Sequence, residues 1–160
     1  MNLKTQNAFT MLELIFVIVI IGILSAVAIP KFAVNRDDAV ISKAKATVSS
    51  VRSALATERQ KRILSGDFTA ITSLQSAGGV NVFSTFSADL AGNNNNVLEY
   101  AITNCADHGV AQGCWQTAGA APATIYSFMM PLVGQTDFNI TNNRFVCTVP
   151  TSANCKLLTQ

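Results

Sequence analysis

The sequence predicts an α+β protein in which one long N-terminal helix packs on a small C-terminal antiparallel β-sheet. Residues 9–29 form an apolar run long enough, as a helix, to cross a bilayer once. Residues 31–64 carry apolar side chains mainly at steps of three and four, which indicates one face of an amphipathic helix. Beyond them, short strand-like segments are separated by turn residues, as in an antiparallel sheet.

The apolar run contains one charged residue, Glu13, near its N-terminal end. A carboxylate in a membrane segment is costly, and it indicates a function with a specific partner. The run is preceded by a short polar segment that ends in a small residue, Ala8, before the aromatic Phe9. Cleavage between Ala8 and Phe9 would place a new α-ammonium about one helical turn, roughly 6 Å, from Glu13. The two opposite charges would then share the edge of the bilayer.

A second cleavage site is also present in the sequence. Residues 26–28 read Ala-Val-Ala, the small-x-small pattern that ordinary signal peptidase recognises. A secreted binding domain released after Ala28, with Ile29 as its first residue, is therefore an alternative. The apolar run argues against it, because the run is longer than a usual signal-peptide core and contains Glu13.

The net charge of +2 is distributed unevenly along the chain. Residues 31–62 carry eight basic and three acidic side chains, whereas residues 65–160 carry two basic and five acidic ones. A basic segment thus precedes a mildly acidic one. Such a segment suits lipid phosphates, nucleic acid, the acidic patches of neighbouring copies, or simply a solvated helix face.

These patterns divide the chain into a leader, a membrane half of the helix, an amphipathic half and a globular head, at residues 1–8, 9–30, 31–64 and 65–160. We expect the helix to run from about Phe9 to Leu64, to pass through Pro30, and to end where Gly66 adopts the left-handed conformation.

The head is predicted to begin with an irregular connecting segment on the surface, over residues 68–96, because Ser, Thr, Gly, Ala and Asn dominate it. Asn142 and Asn143 suit a tight hairpin turn, since asparagine tolerates positive φ. Strands are predicted at residues 97–102, 123–132, 137–141, 144–149 and 155–159.

All four cysteines follow the predicted membrane segment, and their even number suits an oxidising compartment. Three pairings are possible. We favour the local one, Cys105 with Cys114 and Cys147 with Cys155, because each bond closes a short loop flanked by turn-forming residues.

The sequence predicts no catalytic residues, no cofactor and no metal site. His108 is the single histidine, so a membrane-anchored enzyme with a histidine relay would depend on it. The spacing of Cys105, His108 and Cys114 superficially fits a metal site, but a closed zinc site needs four ligands. Asn139 lies in Asp-Phe-Asn-Ile-Thr, an N-x-T glycosylation acceptor that also matches the alternation of a strand.

The N-terminal residues Ala-Phe-Thr-Met-Leu-Glu-Leu, the apolar run and Ala-Ile-Pro at residues 28–30 resemble the class III signal of type IV pilins and type II secretion pseudopilins. The resemblance covers roughly the first 35 residues. It implies a pilin-like fold, cleavage between Ala8 and Phe9 by a prepilin peptidase, and N-methylation of Phe9. Ala8 departs from the glycine usual in this family, and because alanine is the smallest step from glycine we still expect cleavage.

The resemblance also implies which residues act in assembly. Glu13 takes the position of the acid linked to filament assembly, and Thr10, Gly22 and Pro30 fall where the family pattern has them. The clustered acids of the calcium loop of major pseudopilins are missing from the C-terminal region. The segment between Cys147 and Cys155 instead resembles the disulfide-closed variable region of some type IV pilins.

The function implied is that of a non-catalytic subunit of a type IV pilus or a type II secretion pseudopilus. Its expected partners are other copies and related pilins in a helical filament, the prepilin peptidase and an inner-membrane assembly platform. Its expected location is the bacterial inner membrane, as a single-pass protein with a periplasmic head, and then the filament. A minor or competence pilin that takes part in DNA uptake is the alternative within this class, since the basic segment suits nucleic acid.

Overall fold

A computed structural model describes residues 9–75, 80–105, 113–119 and 121–160. The elements follow the order α1 (Met11–Leu64), β1 (Asn81–Val82), β2 (Ile102–Thr103), β3 (Trp115–Ala118), β4 (Ile125–Met130), β5 (Gly134–Thr141), β6 (Arg144–Cys147) and α2 (Ala153–Thr159). The chain divides into two compact units, Met1–Arg36 and Asp37–Gln160.

The described part of the first unit is helical from Met11 onward, and α1 continues through Pro30 as the sequence predicts. Among the described residues, Met11–Ile29 is the one helical stretch long and apolar enough to cross a membrane by length and composition. No residue of this stretch is buried in the structure. Its apolar side chains are therefore largely exposed among the described residues.

In the second unit, α1 packs on the head through one buried stripe that includes Ala44, Val48, Val51 and Leu55. Steps of three and four residues place these side chains on the same face of a helix. They join a core built largely from aromatic rings of the sheet, such as Phe138 and Phe145, whose stacked centroids lie 4.9 Å apart. The predicted amphipathic half of the helix is thus confirmed.

The head contains a four-stranded antiparallel sheet in the order β3-β4-β5-β6 and a two-stranded pair of β1 with β2. Strands β4, β5 and β6 lie close to three of the predicted strands. The turn between β5 and β6 is also confirmed, because Asn142 and Asn143 have φ values of 52° and 57°. The sequence did not predict β3, and the predicted strand at residues 97–102 is wrong except for Ile102.

The described parts of the connecting segment, residues 68–75 and 80–96, are irregular as predicted apart from β1, but the predicted surface placement is wrong for their buried apolar residues. Ile71, Leu74, Val82, Phe83 and Phe86 are all buried in the core. The backbone N–H of Leu74 donates to the Tyr126 hydroxyl at 2.8 Å. Apolar side chains inside a polar stretch therefore hold this segment against the sheet.

The C-terminal segment is a helix, so the strand predicted at residues 155–159 was wrong. The Ser152 hydroxyl accepts a hydrogen bond from the N–H of Cys155 at 3.1 Å and caps α2. Cys155 and Leu158, three residues apart, are both buried. A cap followed by that spacing favours a helical turn over an extended strand.

The end of α1 confirms the predicted glycine cap. Gly66 has a φ of 77°, and its N–H donates to the carbonyl of Ile63 at 3.0 Å. The N–H of Asp67 donates to the carbonyl of Arg62 at 2.8 Å. These two bonds form a Schellman motif, which satisfies carbonyls at the end of the helix.

Both cysteine pairs are local, as predicted. Disulfides join Cys105 to Cys114 and Cys147 to Cys155, with Cα atoms 6.2 Å and 6.1 Å apart. The second bond joins the end of β6 to α2. It holds the C-terminal helix against the sheet, where α2 contacts β5.

A buried ion pair near the end of α1 connects the helix to the connecting segment. Arg62 Nε donates to Glu58 Oε1 at 2.9 Å, and both side chains are almost fully buried. Arg62 Nη2 donates to the carbonyl of Ser87 at 2.5 Å, and Asn95 Nδ2 donates to Glu58 Oε1 at 3.0 Å. Each charge therefore has a partner on the helix and another beyond it.

Replacing Glu58 with alanine is expected to destabilise the head strongly. The change leaves the Arg62 guanidinium buried without its counter-charge, which costs about 3 to 5 kcal/mol in comparable pairs. Urea unfolding of the full chain in detergent, followed by tryptophan fluorescence, measures the loss. The control is Glu99→Ala, which alters an exposed acid and should stay within about 0.5 kcal/mol of the parent. Equal stability of the two variants would contradict the role given to the pair.

The Asp67 carboxylate is expected to make the stability of the folded head depend on pH in the acid range. The Thr69 hydroxyl, followed by the backbone N–H groups of Leu90 and Thr69, lowers the pKa of Asp67 from 3.8 to about 2. Because the pKa is lower in the folded state, the carboxylate stabilises the head above about pH 4. That stabilisation disappears as pH falls through about 2.

Thermal unfolding of the parent and of Asp67→Asn at a series of pH values tests this expectation. The variant should melt at a lower temperature near neutral pH, and the difference should shrink between about pH 4 and pH 2. A difference that stays constant down to pH 2 would show that Asp67 acts through packing rather than charge.

Candidate functional site

Thr10 and Glu13 form a reciprocal pair of hydrogen bonds at the start of α1. The N–H of Glu13 donates to the Thr10 hydroxyl oxygen at 3.2 Å. The N–H of Thr10 donates to Glu13 Oε2 at 3.1 Å, and the Thr10 hydroxyl donates to the same oxygen at 3.0 Å. This is a capping box, in which the residue before the helix and the third residue within it satisfy each other's backbone N–H groups.

The capping box explains how an acid is accommodated in an apolar segment. The carboxylate lies at the positive end of the helix dipole and accepts two hydrogen bonds from Thr10. Both effects reduce the cost of removing it from water. It also explains why α1 begins at Met11 rather than at the predicted Phe9, because Thr10 is the cap.

The sequence identified Glu13 as a functional residue, but it did not identify the hydrogen-bond partner of Glu13 within the chain. The sequence assigns the carboxylate to an α-ammonium on Phe9, whereas the structure gives it the backbone and side chain of Thr10. The spacing Thr10-x-x-Glu13 is the sequence signature of a capping box and could have identified the contact. The two partners are compatible, since Phe9 directly precedes Thr10 at the same end of the helix.

The surroundings of Glu13 are an exposed apolar surface. Phe9 is 81% exposed and Leu12 78% exposed, and the apolar residues after Glu13 are exposed along the same helix. A continuous apolar surface of this kind indicates contact with lipid or with other proteins. Here the charged carboxylate lies at one end of that surface.

Gly22 and Pro30 lie within α1, downstream of the capping box. A Cβ atom added at Gly22 would meet nothing within 4 Å. The packing of this chain alone therefore does not require a glycine there. A small residue on a membrane helix allows the close approach of another helix.

Ala8 and His108 lie outside the described residues, so the structure does not describe the predicted scissile bond or the histidine. Cys105 and Cys114 are joined in a disulfide, which leaves neither as a thiolate for the metal site weighed against it. Asn139 lies within β5 and is half-buried, with its Oδ1 accepting a hydrogen bond from the Thr141 hydroxyl at 3.3 Å. Its glycosylation stays a prediction.

Comparison with known proteins matches residues 3–29 to a family model described as the prokaryotic N-terminal methylation motif. This chain carries that motif. The matched range includes Ala8, Phe9, Thr10, Glu13 and Gly22, so it contains the capping box and the predicted cleavage site.

The chain is also similar to the type IV narrow pilus major component PilA5 of Thermus thermophilus. The two are 50% identical over 50 residues, which is 31% of this chain and 43% of the relative. The chain thus matches less than half the length of that curated relative. No solved structure matches the chain significantly.

Replacing Thr10 with alanine is expected to loosen the first turn of α1. Loss of the cap costs about 1 kcal/mol, which corresponds to roughly fivefold faster amide hydrogen exchange at residues 13 and 14, whose N–H groups are hydrogen-bonded to Thr10. The exchange is measured by NMR on the full chain in detergent micelles. Glu13→Gln is the matched control, because glutamine also completes a capping box and should leave exchange nearly unchanged. Equal exchange in both variants and the parent would contradict the cap.

Proposed function

We propose that this chain is a structural, non-catalytic subunit of a type IV pilus that polymerises through its N-terminal helix. The observation that carries the proposal is the methylation motif on an exposed apolar helix that begins with the Thr10 and Glu13 capping box. The similarity to a pilus component over the N-terminal region favours a pilus over a secretion pseudopilus.

The proposal gives the N-terminal segment a sequence of steps. The chain is held in the inner membrane by α1 with its head in the periplasm. A prepilin peptidase cuts between Ala8 and Phe9, the new amine of Phe9 is methylated, and an assembly platform adds the subunit to the filament. After cleavage, the Phe9 ammonium directly precedes Thr10, beside the carboxylate that Thr10 holds.

Cleavage creates the α-ammonium of Phe9, which can neutralise the Glu13 carboxylate. In a bundle of apolar helices, an unpaired ammonium and an unpaired carboxylate are each expensive, whereas together they neutralise one another. The capping box holds Glu13 at the end of its own helix, where it is available to an incoming subunit. A subunit that slides along the bundle finds its register where its Glu13 meets the Phe9 amine of a neighbour, and fixing register is the best-attested role of a buried ion pair.

Removing the charge of Glu13 is expected to block assembly while leaving the subunit in the membrane. Glu13→Ala removes both the charge and the cap, whereas Glu13→Gln removes the charge alone. Because an unpaired buried ammonium costs several kcal/mol, we expect at least about tenfold fewer filaments from either variant. Filaments sheared from cells that express the full chain are quantified against the amount of subunit in the membrane.

Thr10→Ala is the matched control, since it weakens the cap and retains the charge. It should assemble better than Glu13→Gln. Normal filament yield from Glu13→Gln would refute the role of the charge. Mass spectrometry of the N-terminal peptide of the filament subunit should show that it begins at Phe9 with one added methyl group. Retention of residues 1–8 would refute the cleavage, and a mature N-terminus at Ile29 would instead identify a secreted domain.

A further inference from the structure

An arginine-lined groove lies beside the sheet, between α1 and the end of the β5–β6 hairpin. It has a volume of about 720 Å³. Arg52 and Arg59 line it from the helix, and Arg144 lines it from β6. No acidic side chain is among its described lining residues. The groove therefore presents three positive charges without a counter-charge in its wall.

The hydrogen bonds of these arginines leave several donors unused. Arg52 Nε donates to the carbonyl of Phe145 at 3.1 Å, on the side of β6 that has no neighbouring strand. Arg59 Nη1 is buried and has no hydrogen-bond partner among the described residues. Arg144 is exposed at the end of the hairpin. A buried guanidinium nitrogen without an acceptor is costly, so an anion placed in the groove would relieve that cost.

Among the described residues of the head, one acid has no hydrogen-bond or ion-pair partner and can serve as that anion on a second copy. The carboxylates of Asp67, Asp89 and Asp137 accept hydrogen bonds within the head. Glu99 is exposed, with no polar partner in the part of the chain that the structure describes. The next residue, Tyr100, is 82% exposed. Together they present a carboxylate and an aromatic ring to the outside.

The groove and Glu99 lie on opposite sides of the head. At 3.6 residues per turn, Arg52 and Arg59 lie on one flank of the buried stripe of α1, and Ser50 and Thr57 lie on the other. The second flank borders a depression that Asn96, shortly before Glu99, also lines.

The sheet supports the same placement. The chain after Glu99 enters β2, which pairs with β1, and β1 contacts β3 at the sheet edge opposite β6. The groove, in contrast, borders β6. Glu99 and the arginines therefore lie on different sides of the head, and the structure shows no ion pair between these described residues.

We propose that the groove binds the Glu99 and Tyr100 segment of a second copy of this chain. The guanidinium groups suit a carboxylate through paired N–H donors, and an arginine suits the face of a tyrosine ring. Because the two surfaces differ and lie on opposite sides, the contact is heterologous. Repetition of such a contact produces an open helical array unless the rotation closes a ring. This inference rests on the proposed filament function and names the contact between heads within it.

Charge reversal in the full chain tests the contact. Arg59→Glu, and separately the exposed Arg144→Glu, should lower filament yield by about fivefold, as expected for a lost charge pair at a specific interface. Glu99→Arg alone should lower it similarly. Combining Glu99→Arg with either arginine variant should restore most of the yield. Lys156→Glu reverses an exposed charge on α2, outside both surfaces, and should assemble normally.

The melting temperature of each variant is measured alongside, and Arg144→Glu keeps the test valid if Arg59→Glu fails to fold. Normal assembly of Arg144→Glu and Glu99→Arg, with parent filaments present, would overturn the contact and leave the filament function standing. Absence of filaments from the parent chain would instead overturn the filament function. Salt-sensitive DNA binding that the arginine variants abolish, without any change in assembly, would assign the groove to phosphates and also overturn the contact.

Discussion

The head depends on one face of α1 that changes from apolar to charged along its length. Ala44, Val48, Val51 and Leu55 fill the core, and the same face continues into the buried pair of Glu58 and Arg62. The apolar part selects the position of the sheet on the helix. The charged part selects the connecting segment, because the Ser87 carbonyl and the Asn95 amide of that segment form hydrogen bonds with Arg62 and Glu58. One helix face thus specifies both the sheet and the path of the chain that leads to it.

The two ends of α1 satisfy their unpaired backbone groups in different ways. Each end of a helix leaves backbone groups without partners. At the C-terminal end, Gly66 turns the chain back so that backbone groups satisfy one another. At the N-terminal end, the side chains of Thr10 and Glu13 do so, and the solution brings a negative charge to an apolar segment. The cap therefore has a chemical consequence that the glycine end lacks, since a charge can be paired by another molecule.

The sequence was informative where one local pattern dominates. The spacing of apolar residues along residues 31–64 predicted the buried face of α1, and Gly66 predicted where the helix ends. Asn142 and Asn143 predicted the hairpin turn. The sequence failed where tertiary contacts decide. Phe83 has a φ of 56° and is fully buried, a combination that no local preference indicates. The short strand β3 has no clean alternation, since both Trp115 and Gln116 are buried. In the site itself, Glu13 was recognised because it is the one charged residue of the apolar run. Its contact with Thr10 is indicated only by the Thr-x-x-Glu spacing of a capping box.

The hydrogen bond from Arg52 to Phe145 has a further consequence for solubility. Phe145 lies in β6, which is an edge strand, and exposed edges are templates for uncontrolled strand pairing and aggregation. Any assembly that holds many heads side by side raises their local concentration far above that of free subunits, which increases this hazard. A bulky cation from the helix occupies a carbonyl that a foreign strand would need. This part of the edge is thereby blocked to a pairing strand, while the exposed Arg144 side chain of the same strand stays available for specific recognition.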